Sequence, residues 1–258
     1  MRYLYLLLAG VLVNSLGSGL TAFGLAVFAY TTYGTASAVA MVQLCAFAPV
    51  VLLAPAAGAL ADHFDRRLMM VLGDGGSVLG LGVVVLALST PSPRLGHILL
   101  GVVLSSCLAA LTEPALRASV SDLVDPQDHV RSSGLLQAAS SARYLLSPAL
   151  AGLLLPLTGL RALLVLDAAT CLVTAACSWS VMRAVGRRPA EAWGSRADVV
   201  NHTLGGWRVL AAQPALRALV GLMTVMTLLL GTLQVLVKPI LLPHADAAAT
   251  GRAETLAA

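Results

Sequence analysis

The sequence predicts an all-α membrane protein, a bundle of hydrophobic helices. Of its 258 residues, 58% are hydrophobic and only 11% are charged, whereas a soluble domain carries about 25% charged residues. The apolar residues also form runs of roughly 20, the length at which a helix spans a bilayer. A water-soluble surface cannot be built from so few charges, so lipid must be the main solvent of this chain.

Seven apolar runs are long enough to span a membrane. The first continues beyond the apolar core of a signal peptide, which is about 7–15 residues long, so we predict a retained helix. Prolines in the second and fifth runs do not exclude helices, because neighbouring helices re-satisfy the freed backbone groups. The predicted spans are Tyr5–Tyr30, Ala36–Ala61, Leu68–Leu88, Leu95–Leu111, Leu135–Leu157, Ala162–Met182 and Leu219–Leu242.

The arginines predict the orientation of these spans. The net charge is +4, but the cations lie between apolar runs rather than on one soluble face, so nucleic-acid binding is not expected. Ten arginines fall on the side of the N-terminus, against only Arg94 and Arg161 on the other. Because positive loops stay inside, we expect a multi-pass protein of the cell membrane with a cytoplasmic N-terminus.

The chain divides into four parts. Residues 1–183 form a six-helix half, 184–216 a cytoplasmic linker containing Gly and Pro, 217–242 a seventh helix, and 243–258 a polar tail that we expect to be disordered. Within the linker, residues 198–212 have apolar side chains at helical spacing, which leaves an amphipathic surface helix and a plain linker as alternatives.

Enzyme motifs are missing from the sequence. It has no P-loop, no nucleophile elbow and no paired metal ligands, so we predict no enzyme, no cofactor and no metal site. Its four cysteines lie in apolar runs without metal-ligand spacing. Seven spans with Lys238 in the last would also suit a retinal protein, but Lys238 precedes Pro239 near the helix end and only 5% of residues are aromatic.

The loop between the second and third spans, GALADHFDRR, gathers charges between two apolar runs. Gly58 is expected to let the two helices approach closely. Asp62 is placed to accept hydrogen bonds from the N-terminus of the third helix. Arg66 and Arg67 suit the level of the headgroups. The residue types alone leave a solvated turn as an equal alternative to a functional loop.

This loop resembles the signature of the major facilitator superfamily of secondary transporters, in the drug and siderophore exporter branch that includes macrolide-efflux and enterobactin-exporter types. Asp65 replaces the usual Gly, and His63 replaces a usual Arg or Lys. Further segments resemble that branch in the same order, up to about Leu242. The matching loop residues are Gly58, Asp62, Phe64, Arg66 and Arg67, and the further segments are Glu113–Val124, Ser133–Gly152 with Pro148 and Gly152, Asp167–Ala169 and Gln213–Arg217.

The resemblance implies a six-helix N-terminal half and a seventh helix of a transporter that exports small molecules by proton antiport and alternating access. Substrate would bind the inner faces of helices one, two, four and five. The loop charges, with Asp65, Arg66 and Arg67 among them, would latch the two halves together. Glu113 would be their acidic partner. The expected partners are the bilayer, a drug or siderophore-like substrate, and protons.

Charged residues inside spans are costly and usually functional. We predict Asp74 and Asp167 as proton carriers, and Arg143 as an intramembrane cation that pairs with an acid or binds an anion. Pairing of Asp74 with Arg66 or Arg67, and of Asp167 with Arg161, are the structural alternatives. Polar residues predicted to line a cavity, with interhelical hydrogen bonding as the alternative, are Asn14, Ser18, Thr21 and Gln43.

The resemblance covers one half and one further helix, so five helices of such a transporter are missing from the sequence. We expect a truncated product that does not transport alone. The alternative is a half-transporter that needs a second half or another copy of itself.

Overall fold

The computed structural model describes residues 2–186 and 211–241, and in these residues every regular element is helical. The predicted all-α fold is confirmed. The middle of the predicted linker and the predicted tail, residues 187–210 and 242–258, lie outside the described residues, as do the side chains of residues 234–241. The helices are α1 Arg2–Tyr33, α2 Ala36–His63, α3 Arg66–Leu88, α4 Leu95–Ala109, α5 Thr112–Asp122, α6 His129–Leu145, α7 Ser147–Val185 and α8 Pro214–Leu241, with a 3₁₀ turn at Pro126–Asp128.

Six helical stretches are long and apolar enough to cross a membrane. Seven were predicted, and the difference lies in α7, which runs through both the fifth and sixth predicted spans. Gly159 interrupts α7 with a φ of 77°, a backbone conformation that glycine adopts without steric cost. The chain reverses there, so α7 contributes two antiparallel parts, residues 147–158 and 160–185.

Helix α1 packs between these two parts of α7. Its Gly10 lies against Thr174 and Cys177, whereas Gly24, further along α1, lies against Leu163. Residues 160–185 therefore run antiparallel to α1. In the other part, the start of α7 at Ser147 lies beside Gly19 of α1, and its later residues pack with Val27, so this part runs parallel to α1.

The fifth predicted span, Leu135–Leu157, is broken in the structure. Helix α6 ends at Leu145 and α7 begins at Ser147, with Pro148 in its first turn. Proline is tolerated in a first helical turn because it has no N–H to offer there. It cannot continue α6, because it has no N–H for the carbonyl group of Tyr144, four residues earlier, and its ring would clash with that carbonyl group. The break therefore follows from Pro148.

The helical stretch that contains the fourth predicted span extends further than predicted. Helix α4 stops at Ala109, but α5 resumes at Thr112 and continues to Asp122, and the two together form one 28-residue stretch apolar enough to span. Glu113 is thus near the start of α5 rather than beyond the end of a span. The acidic residue at the end of this span is Asp122.

Apolar side chains form two main cores, one at each end of the bundle. At the end that carries the α2–α3 loop, Leu7 of α1 and Met70 of α3 pack with Ala115 and Val181. At the opposite end, Ala26 packs with residues of α2, α3, α4 and α7. Many large side chains on the outside, including Leu52 and Leu157, are exposed, as expected for a surface that faces lipid.

Small residues set the closest helix approaches. A Cβ atom on Gly80 of α3 would lie 2.6 Å from the carbonyl oxygen of Gly101 on α4 and would overlap the backbone of Ser105. Gly58, in contrast, has no atom within 4 Å of such a position. The prediction that Gly58 mediates the approach of α2 and α3 is wrong, because α3 packs closely on α4 instead.

Candidate functional site

The loop between α2 and α3 is organised by Asp65. Its carboxylate caps α3, with Oδ1 accepting hydrogen bonds from the backbone N–H groups of Arg67 at 3.0 Å and Leu68 at 3.1 Å. A helix N-terminus leaves such N–H groups without intrahelical partners and favours an anion. This role was predicted for Asp62, which lies in the last turn of α2 and whose side chain is outside the described residues. The usual Gly of the signature is thus replaced here by a capping residue.

Replacing Asp65 by Ala should destabilise the bundle by about 1 kcal/mol, the typical contribution of an N-cap. The effect can be measured in detergent as a lower midpoint of thermal unfolding, with the loss of the helical circular dichroism signal used to monitor unfolding. Asp125→Ala is the matched control, because Asp125 occupies an N-cap position without a side-chain hydrogen bond. Equal midpoints for the two variants would contradict the capping role.

Arg66 joins α3 to the ends of α2 and α5. Its guanidinium donates to the carbonyl oxygen of Ala61 at 3.3 Å and to that of Ala118 at 3.0 Å, and it forms a 2.7 Å ion pair with Asp122. Cations are stabilised at helix C-termini, where carbonyl groups lack intrahelical partners. Arg66 therefore braces two helix C-termini at once.

Within this half, Asp122 and not Glu113 is the acidic residue that pairs with a loop arginine. Glu113 pairs instead with Arg117 of the same helix, at 2.6 Å, on an exposed surface. Asp122 takes the predicted place because the helix continues to Asp122, about three turns beyond the predicted end of the span. The segment Glu113–Val124 carried the signal, since Asp122 is its other acidic residue.

Arg67 braces the end of α7. It is buried, and its Nη1 donates at 3.2 Å to the carbonyl oxygen of Gly186, the residue that caps the C-terminus of α7. The two arginines of the loop thus contact the last turns of different helices. Among the described residues these contacts hold together one half of a bundle, and a latch to a second half stays a prediction.

The Arg66–Asp122 pair should contribute about 0.2–1 kcal/mol, the range for ion pairs that are partly exposed. A double-mutant cycle with Arg66→Gln and Asp122→Asn would measure this coupling from thermal unfolding in detergent. We expect the coupling to fall at high salt. A coupling energy of zero at low salt would show that the pair does not contribute to stability.

A second polar site lies inside the bundle, around Asp167. This residue of α7 is 3% exposed. Its Oδ1 accepts a hydrogen bond from Ser18 of α1 at 3.3 Å and lies 4.0 Å from the sulfur of Cys171. Cys171 in turn donates to Oδ1 of Asn14 at 3.3 Å. A short interhelical polar network therefore joins α1 to α7.

Three further groups act on Asp167, and one of them is the side chain of Thr170 in the same helix. The Thr21 side chain of α1 makes a polar interaction with it, and the charge of Arg143 in α6 acts on it electrostatically. Thr21 Oγ1 is buried and, among the described residues, has no partner within normal hydrogen-bond geometry, so its interaction with the carboxylate is a loose one. Arg161 does not pair with Asp167, because its guanidinium donates to the carbonyl oxygen of Leu88.

Asp74 approaches the same region from α3. It is 2% exposed, and its Oδ1 accepts a 3.0 Å hydrogen bond from Thr112 at the start of α5. Its Oδ2 is buried and has no hydrogen-bond partner among the described residues. The suggested alternative of pairing with Arg66 or Arg67 is wrong, since those arginines contact α2, α5 and α7.

The polar residues of α1 face α7 rather than an open cavity. Asn14 and Ser18 are half-buried and Thr21 is buried, all on the side that meets Cys171 and Asp167. Asn14 and Ser18 therefore take part in hydrogen bonding between helices, which was the alternative to lining a cavity. Gln43 of α2 is half-buried.

The helix-five motif also packs on α1. Pro148 and Gly152 are both buried in the first part of α7. Beside them, the hydroxyl of Ser147 donates to the carbonyl oxygen of Leu16 at 3.1 Å. The motif therefore holds α1 and α7 in close contact.

The internal site can store charge or protons. Its two carboxylates are buried, and they accept hydrogen bonds from hydroxyl groups of α1 and α5. Among the described residues, no group of three His, Cys, Asp or Glu side chains comes together as a metal site would require. Sequence reasoning named both carboxylates but missed Thr112 and Cys171, which contact them from across the bundle.

Comparison with known proteins gives relatives for nearly the whole chain. Residues 7–246 match the family model of the Major Facilitator Superfamily. Macrolide efflux protein A of Streptococcus pyogenes is 28% identical over 168 residues, covering 63% of this chain and 40% of that protein. The staphyloferrin A transporter of Staphylococcus aureus is 28% identical over 141 residues, covering 54% of this chain and 36% of that protein. The chain thus spans well under two thirds of the length of these curated relatives.

A solved structure shares the fold. The crystal structure of a POT family transporter in complex with a thioalcohol-conjugated peptide superposes with a TM-score of 0.61 at 15% identity, covering 92% of this chain and 50% of that one. These relatives are transporters and not enzymes. With its family match and its apolar spans, the chain is a multi-pass membrane protein that belongs to the Major Facilitator Superfamily.

Proposed function

We propose that the transporter to which this half-bundle contributes exports small molecules in exchange for protons. The named activities of two relatives, macrolide efflux and staphyloferrin A transport, support a substrate of the drug or siderophore class. Alternating access would move the substrate, which in this family fold binds between two bundles of six helices. The faces of the first, second, fourth and fifth spans would supply this half of the binding surface.

The observation that carries proton coupling is the buried pair of carboxylates, Asp74 and Asp167. A carboxylate inside a membrane is costly to maintain and usually serves a function. Asp167 accepts from Ser18 of α1 and lies within electrostatic reach of Arg143 of α6. Adding a proton to Asp167 would weaken both interactions, so its charge would control how tightly α1 and α6 are held to α7.

The loop end of the bundle is proposed to be cytoplasmic, together with the N-terminus. Arg66, Arg67 and most other arginines lie at that end or in the segments that continue from it, and positive residues are retained inside. There the exposed pair Glu113–Arg117 and the partly exposed pair Arg66–Asp122 would be available to a second bundle, which supports their proposed role as a latch.

The experiment measures efflux of a fluorescent drug from bacterial cells that lack their own exporters. One culture produces this chain alone, and another also produces the C-terminal half of macrolide efflux protein A as the second bundle. We expect efflux only in the second culture, and we expect a protonophore to abolish it.

Each other result has a defined meaning. Efflux from cells with the chain alone would show that copies of this chain complete the transporter. Efflux that persists with a protonophore would remove proton coupling from the proposal. Lack of efflux in both cultures, with the chain present in the membrane, would favour a protein that does not transport.

A further inference from the structure

Helix α5 is attached to α3 at both of its ends. At its start, the hydroxyl of Thr112 donates a 3.0 Å hydrogen bond to Oδ1 of Asp74. At its end, Asp122 forms the 2.7 Å ion pair with Arg66. At 1.5 Å per residue, the two contacts are about 12 Å apart along α3 and about 15 Å apart along α5. The two helices therefore run side by side in opposite directions, with a polar contact at each end of α5.

A break separates α5 from α4, at Ala110 and Leu111. Pro114, in the first turn of α5, has no N–H for the carbonyl group of Ala110, and in a continuous helix its ring would clash with that group. The N–H of Leu111 donates to the carbonyl oxygen three residues earlier, that of Leu108, at 3.1 Å. This is the bonding of a 3₁₀ turn, which within a longer helix often marks a hinge. The break therefore separates the position of α5 from that of α4.

The contact at the start of α5 depends on the charge of Asp74. This carboxylate is buried, and its Oδ2 has no hydrogen-bond partner among the described residues. The bond from Thr112 to Oδ1 is therefore its link to a neighbouring helix. A hydrogen bond to an ionised carboxylate is roughly twice as strong as one between neutral groups. Neutralising Asp74 would weaken one of the two attachments of α5.

The other helices packed against α3 do not share this link. On the side of α4, the contact is made by neutral groups, with the hydroxyl of Ser77 donating to the carbonyl oxygen of Ser105 at 3.2 Å. On α7, the titratable groups Asp167 and Cys171 are hydrogen-bonded to α1. Among the described residues, Asp74 forms no ion pair. A change in the charge of Asp74 therefore acts first on Thr112.

We propose that Thr112 is the positioning residue through which the charge of Asp74 controls α5 and, with it, the Arg66–Asp122 pair at the loop. With Asp74 ionised, both attachments hold α5 against α3. With Asp74 neutral, the weaker bond from Thr112 lets α5 tilt about the break, and the ion pair at its other end opens more often. The proposal rests on the proposed function for its meaning in transport, where it links an internal proton carrier to the loop. It concerns the resting half-bundle and can be tested without transport.

Hydrogen–deuterium exchange of the purified chain in lipid nanodiscs tests this proposal, because exchange reports local opening of a helix. Thr112→Val should speed the exchange of residues 116–122 by roughly tenfold, as expected for the loss of one hydrogen bond. Asp74→Asn, which is permanently neutral and of the same shape, should speed it by a smaller factor. The double variant should exchange no faster than Thr112→Val, because both changes act on the same contact. Thr112→Ser keeps the hydroxyl and should exchange like the wild type.

Two matched controls should leave the exchange of α5 unchanged. Asp125→Asn makes the same change of charge at an exposed position outside the helices. Thr224→Val removes an exposed hydroxyl of α8 that bonds within its own helix, to the carbonyl oxygen of Val220.

Several results would overturn the proposal. They are unchanged exchange of α5 in Thr112→Val, faster exchange confined to its first turn, and Thr112→Ser exchanging as fast as Thr112→Val. An equal effect of Thr112→Val with and without Asp74→Asn would show that the bond does not depend on charge. The comparison of Thr112→Ser with Thr112→Val decides the role of the hydroxyl even if Asp74→Asn fails to fold. Failure of efflux would not change these exchange rates, so the two proposals fail independently.

Discussion

The Gly80→Ala variant is expected to destabilise the bundle, although alanine is the better helix former. Alanine stabilises a helix interior by about 0.8–1 kcal/mol relative to glycine. At Gly80, however, the added methyl group would overlap the backbone of Ser105 and lie 2.6 Å from the carbonyl oxygen of Gly101. Overpacking typically costs about 1–3 kcal/mol, and backbone atoms of a packed helix cannot rotate away as a side chain can.

Gly82→Ala is the matched control in the same helix. No atom lies within 4 Å of the position that its Cβ would occupy, so only the gain in helix propensity remains. Thermal unfolding in detergent should therefore show opposite shifts, with a lower midpoint for Gly80→Ala and an unchanged or higher midpoint for Gly82→Ala. A Gly80→Ala variant as stable as the wild type would mean that α3 and α4 are further apart than described.

The Asp167→Asn variant is expected to lose proton-coupled efflux while keeping its fold. Asparagine has nearly the same shape and still offers Ser18 an oxygen acceptor, so the contact between α1 and α7 remains. Its side chain cannot switch between a charged and a neutral form, which is the change on which the proposed coupling depends. In cells that also contain the second bundle, efflux should fall to the level of cells without the chain.

The control for Asp167→Asn is again Asp125→Asn, which should keep efflux at the wild-type level. Both variants should be present in the membrane in equal amounts and show equal helical circular dichroism. Wild-type efflux by Asp167→Asn would exclude Asp167 as a proton carrier. Uptake driven in the absence of a proton gradient by Asp167→Asn, but not by the wild type, would instead show that coupling alone was lost.

The positions of the spans could be predicted from hydropathy, but their ends could not. Hydropathy identifies which residues prefer lipid, and α1, α2 and α3 begin and end within about three residues of their predicted limits. It does not show that a less apolar segment such as α5 continues a helix beyond the most apolar run. Because of that error, Glu113 was predicted as the partner of the loop arginines, whereas the observed partner of Arg66 is Asp122.

The sequence by itself determined that this chain is an all-α membrane protein of a transporter family, and it singled out Asp74 and Asp167, which are both buried. Composition and order of motifs suffice for this, because each is a property of single residues or short segments. Arg143, also predicted to lie inside a span, is instead exposed in the last turn of α6, outside the six stretches apolar enough to span. Only the tertiary structure decided that Asp65 caps α3, that Asp122 pairs with Arg66, and that Thr112 of α5 donates to Asp74 while Ser18 of α1 donates to Asp167. Those relations join residues far apart in the chain, and helix packing sets them through small residues such as Gly80, whose partners hydropathy does not reveal.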